Sequence, residues 1–140
     1  MKKKIVISAT NLVEGGGLSI LKQCIESFSS IKLDRNIFFI FIVHSSFKHN
    51  KFANSNIRFI YFDYPKKNWL YKIFFEYIHL YFISLTLRPF AWLSLHDISP
   101  NVNSVKRYVY CHNPSIFYDS TYFDFKFDKK FFLFTKFYKY

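Results

Sequence analysis

A chain of 140 residues with 51% hydrophobic side chains has the size and apolar content of one ordinary globular domain, which excludes a disordered chain. Aromatic residues make up 24% of it, more than a core of this size holds, so some rings must lie outside. The formal net charge of +11 points to an acidic partner such as anionic lipid, nucleic acid or a phosphorylated substrate, although Lys, Asn, Ile, Phe and Tyr enriched together are also what an AT-rich gene encodes.

Lys2-Lys3-Lys4 ahead of an apolar run has the outline of a secretion signal, but Ser8, Thr10 and Asn11 interrupt the run too early for one. Residues 5–9 instead predict a short buried strand, central in a sheet. The strand feeds NLVEGGGLS (residues 11–19), which holds the only three glycines of the chain, Gly15, Gly16 and Gly17. From Leu18 the apolar positions Leu18, Leu21, Ile25 and Phe28 recur at helical spacing, with Ser19, Lys22, Gln23 and Glu26 on the other face. A strand, a glycine turn and a helix bring backbone N–H groups and the positive end of a helix dipole to one point, which favours an anion. Without a Cβ, a phosphate or a sugar ring can approach closely. Glycines needed only for the dihedrals of a turn fit the same letters. Two familiar nucleotide motifs are excluded: the glycines are contiguous rather than spaced G-x-G-x-x-G, and Gly17 is followed by Leu18 rather than Lys.

Residues 36–43 (NIFFIFIV) form a continuous apolar run of strand length, as for a parallel strand covered on both faces. Residues 44–56 are polar and irregular, and residues 57–62 predict a third strand. Residues 65–68 open a longer helix that Pro89 closes, with Leu70, Ile73, Phe74, Tyr77, Ile78, Tyr81 and Leu85 on one stripe. Its other face mixes Lys66, Lys72 and His79 with Tyr71, Phe75 and Phe82, which suits a membrane interface or a partner domain, or burial on both sides in a layered fold. The apolar stretch 77–87 falls short of the roughly 20 residues that span a bilayer.

Residues 91–95 and 107–110 are two further short strands, each followed at once by polar residues, His96-Asp97 and His112-Asn113. Polar residues at strand ends are where open α/β sheets place their sites. The alternation predicts an α/β fold with a doubly wound, mostly parallel sheet. Residues 123–140 predict a helix, with Phe127, Phe131, Phe134 and Tyr138 near one face. It stops without a cap, Gly or Pro, which leads us to expect an incomplete domain or one that continues into a second. Cys24 and Cys111 suggest neither a disulfide framework nor a metal site, and the simple inference is a reducing cytosol.

Three stretches in this order, ISATNLVEGGGLSILKQCIESF, LSLHDISPNV and YVYCHNPSIFY, resemble the N-terminal domain of bacterial glycosyltransferases with two Rossmann domains (GT-B type). The resemblance is to the family-four-like, group 1 enzymes of surface-polysaccharide and lipopolysaccharide clusters, and it covers nearly the whole chain. It implies a Rossmann-like domain that helps transfer a sugar from a nucleotide-sugar donor to a glycan or lipid-linked acceptor, with retention and with no metal or further cofactor. It assigns the catalytic position to His112, close to the transferred sugar. Gly15, Gly16 and Gly17 then lie near the donor phosphates and the acceptor, His96 and Asp97 line the acceptor side, and Asn113 joins the substrate-binding set. The family's second domain, which supplies the nucleotide-binding residues, is absent from residues 1–140, so the expectation is an acceptor-side fragment that is inactive alone.

The residue types suit that chemistry. Glycosyl transfer passes through an oxocarbenium-like state with negative charge growing on the leaving phosphate, so fixed donors near that oxygen lower the barrier. Local roles fit the same side chains: an imidazole held in the turn before Pro114, and an Asp97 that caps the turn leading to Pro100. The competing expectation is a binding module that meets an anionic membrane through Lys66, Lys67, Lys72 and the aromatic residues. Either way the expected place is the cytoplasm, peripheral on the inner face of the membrane. Nucleic acid is not expected as a partner, because no RNP-type strand, zinc pattern or helix-turn-helix spacing is present.

Overall fold

Apolar side chains that alternate between two faces build a sheet covered on both sides. The computed structural model describes residues 3–30, 36–47, 56–63, 69–97, 99–111, 118–129, 131–132 and 135. They divide into two compact units, Met1–Tyr110 and Cys111–Tyr140. In the first unit the elements run β1 (Lys3–Ala9), α1 (Gly15–Ser30), β2 (Ile37–His44), β3 (Ile57–Phe62), α2 (Trp69–Phe74), a π-helical turn (Phe75–His79), α3 (Leu80–Leu87), β4 (Ala91–Ser94) and β5 (Lys106–Val109). All four strand pairings are parallel and the sheet order is β3-β2-β1-β4-β5, with Ser8 of β1 level with Ser94 of β4. The fold is therefore α/β, doubly wound and Rossmann-like.

Strand parity decides what each face buries. Ile7, Phe39, Phe41 and Val43 point to the side covered by Leu21 and Ile25 of α1. Val6, Ile40, Ile42 and Trp92 point to the opposite side, where Phe75, Leu80 and Val102 pack on them. At roughly 1.5–3 kcal/mol for each fully buried large apolar side chain, these two layers dominate the stability of the unit. The four residues of β5 are all exposed, so this strand is held by its pairing with β4 rather than by packing.

Three expectations need correction. The first helix begins at Gly15, not at Leu18, so the glycines form its opening turn. The helix before Pro89 buries neither expected face as a whole: Phe75, Glu76, Leu80 and Ser84 are buried, while Phe74, Tyr77, Ile78, Tyr81 and Leu85 of the first stripe and Tyr71 and Phe82 of the second are exposed. Both stripes are rich in apolar residues, so hydrophobicity does not choose between them, and the π-helical turn shifts the register by inserting a residue. In the second unit the helix expected over residues 123–140 is interrupted: α4 covers Tyr122–Phe127, Asp128 after it is extended, and the described residues 129, 131, 132 and 135 are helical again.

Candidate functional site

From β1 the chain winds outward through β2 to β3, then returns to the other side of β1 for β4 and β5. The strand order thus reverses between β1 and β4. In open α/β sheets the crevice beyond the carboxyl ends of such a strand pair is where ligands bind.

β1 delivers the glycine turn to this edge. After Ala9 a tight turn closes with Leu12 N–H donating to the Ala9 carbonyl at 3.2 Å, and Gly15 carries a left-handed φ of +59°. The three glycines differ in surroundings. A Cβ on Gly15 or Gly16 would meet nothing within 4 Å, whereas a Cβ on Gly17 would lie 3.0 Å from Cδ2 of the buried Leu12. Gly17 serves close packing of the helix on the turn; Gly16 leaves open space over the first turn of α1. In the middle of that helix burial pushes the Cys24 thiol up to about 11, which removes it from thiolate chemistry near neutral pH.

β4 delivers His96 and Asp97 to the same edge. The ladder continues past the strand, with Leu95 N–H donating to the Ser8 carbonyl at 2.9 Å, and the Ser94 hydroxyl donates to the His96 carbonyl at 3.1 Å. The Trp92 indole N–H donates to the Ser8 hydroxyl at 3.1 Å and ties the two strands below the site. His96 is buried, and its Nε2 stands 2.8 Å from Oε1 of Glu76, whose side chain is fully buried in the π-helical turn. The contact has ion-pair distance without hydrogen-bond direction. Neither ring nitrogen and neither carboxylate oxygen has a hydrogen-bond partner among the described residues. The same holds for Oγ1 of Thr10, a fully buried residue just past the end of β1. A buried polar group that makes no hydrogen bond costs on the order of 1–3 kcal/mol, which the close His96–Glu76 contact offsets in part, so the concentration of such groups beside the switch point marks the place where this unit departs from a purely structural optimum.

The structure thus brings Gly15, Gly16, Gly17, His96 and Asp97 to one sheet edge. His112 and Asn113 lie outside the described residues. Thr10 and Glu76 are not among the site residues expected from the sequence, yet both are buried beside them. For Glu76 a signal was present: a single carboxylate inside the apolar run 73–85 must be buried with a partner or turned outward, and a helix with aromatics on every side leaves little outward room. Among the described residues no group of three or more His, Cys, Asp or Glu side chains could hold a metal ion, and no helix is long and apolar enough to cross a membrane. No family model, curated protein or solved structure matches the chain.

Proposed function

We propose that the chain is the acceptor-side, Rossmann-like part of a glycosyltransferase that moves a sugar from a nucleotide-sugar donor to a glycan or lipid-linked acceptor in surface-polysaccharide synthesis. It works in the cytoplasm, peripheral on the inner face of the membrane. One observation carries the reading: the glycine turn that opens α1 and the His96-Asp97 strand end share the edge where the strand order reverses. Backbone N–H groups at Gly15 and Gly16 suit the charge that grows on the leaving phosphate. His96 and Asp97 suit the hydroxyls of an acceptor, and the resemblance gives His112 the place beside the transferred sugar. The residues that grip the nucleotide belong to a second domain.

The test is transfer of a radiolabelled sugar from a panel of nucleotide sugars to lipid-linked and soluble glycan acceptors, by the longest product of the reading frame. We expect His112→Ala to lower turnover by on the order of 100-fold or more with an unchanged circular dichroism spectrum. Full turnover by that variant overturns its catalytic role, and no transfer with any donor overturns the enzyme reading. A second reading, a non-catalytic membrane-surface module, is favoured by the outward aromatic face of α2 and α3.

A further inference from the structure

We propose that the outward face of the helix running from α2 through α3 is the surface by which the chain lies on an anionic phospholipid bilayer. The inference deepens the peripheral placement above by naming the surface and the lipid class, and it rests on that placement rather than on sugar transfer.

Along this helix Phe74, Tyr77, Ile78, Tyr81, Phe82 and Leu85 are all exposed, Phe82 at 61%. The helix buries its opposite side on the sheet through Phe75 and Leu80, so two apolar faces share one helix and only one of them is covered by the sheet. From Trp69 to Leu87 the helix is about 28 Å long at a rise of 1.5 Å per residue. That is a surface footprint rather than a span, since no helix of the described residues is long and apolar enough to cross.

Charge decides among the occupants. The single acidic residue of the helix, Glu76, is buried against His96, so the outward face carries no negative charge. Cations stand toward its two ends, Lys72 in the last turn of α2 and the exposed Arg88 just after α3. A second copy would bring the same face and another net charge of +11 against it, which opposes self-association. An anionic bilayer complements both properties. Tyr77 and Tyr81 add rings with a polar tip, the residue type that settles at headgroup depth, while Ile78, Phe82 and Leu85 supply the apolar contact.

The experiment is co-sedimentation of the purified chain with vesicles of phosphatidylcholine containing about a third phosphatidylglycerol, against pure phosphatidylcholine, at low and high salt. We expect binding to the anionic vesicles, weakened by salt, and at least a tenfold loss in Ile78→Glu/Phe82→Glu and in Ile78→Ser/Phe82→Ser, on the order expected for removing two embedded side chains. Both positions are exposed, so melting temperature and circular dichroism should hold, and the serine pair removes apolar contact without adding repulsion. Wild-type binding that both variants retain overturns this face while leaving the peripheral placement. Equal binding to neutral vesicles overturns the anionic class, and a dimer dissolved by the variants makes a second copy the occupant. No vesicle binding at all overturns both the face and the peripheral placement, and transfer to a soluble glycan acceptor then decides the enzyme reading separately.

Discussion

At Gly15 the backbone φ of +59° is a region that side chains enter only at a cost of about 1 kcal/mol, so Gly15→Ala strains the turn even though no atom stands in its way. Gly17→Ala meets Leu12 Cδ2 and must displace a side chain of the core. Gly16 has neither constraint. Inside a helix, Gly→Ala stabilises by about 0.5–1 kcal/mol, so urea denaturation of Gly16→Ala should show equal or higher stability. If the open space over Gly16 receives a phosphate or a sugar, the same variant should lose at least about tenfold in kcat/KM for sugar transfer, by closing the approach. Stability and activity moving in opposite directions at Gly16 is the expected signature; unchanged activity would mean that the open space over Gly16 receives no ligand. Three identical letters do not reveal these differences in the sequence, because glycine adds nothing to an apolar periodicity and the helix start therefore read three residues late, at Leu18.

The helix before Pro89 shows how an element can be legible in extent and illegible in orientation. Its apolar residues fill more than one stripe, and the buried stripe contains a glutamate and a serine, the two letters that ordinarily mark the outside. Each has a local reason to be inside. The Ser84 hydroxyl donates to the Tyr81 carbonyl at 2.6 Å and accepts from the Asn103 N–H at 2.8 Å, and Glu76 meets His96. At the other end of the chain, α4 depends on one cap. The Asp124 carboxylate accepts from the Thr121 N–H at 2.6 Å and from the Thr121 hydroxyl at 2.9 Å, and these contacts hold its carboxyl below the usual carboxylate range. A lowered folded-state pKa gives a contribution that is full above the ordinary value and lost as pH falls through the folded one. Acidification below about pH 4 should therefore melt α4 selectively, seen as loss of amide chemical-shift dispersion at residues 122–127 in nuclear magnetic resonance spectra. Asp124→Asn should already show reduced helicity at neutral pH and little further change with acid.

For the sheet unit as a whole, strand identity was legible because β-branched and aromatic runs of four to eight residues have few other uses, and alternation with helices implied the parallel, doubly wound order. What the letters could not give was the link between its layers. Glu76 and His96 stand twenty positions apart, one inside an apolar helix and one at a strand end, and only the fold places Oε1 and Nε2 at 2.8 Å. Because this contact joins the helical layer to the switch-point end of β4, it should control the stability of the unit. Removing either partner alone leaves a buried polar or charged group uncompensated, for which about 3–5 kcal/mol is typical. Glu76→Ala and His96→Ala should each lower the thermal midpoint by more than about 10 °C. Replacing both with apolar residues of similar volume, Glu76→Met/His96→Leu, removes the desolvation cost of both partners together, so the double variant should be at least as stable as either alanine variant and should approach the wild type. A double variant as unstable as the sum of the two alanine losses would mean that the two groups do not interact and that each is held by something else. A double variant that matches the wild type in stability but loses sugar transfer would show that the pair is kept at the switch point for the site, at the expense of a better-packed core.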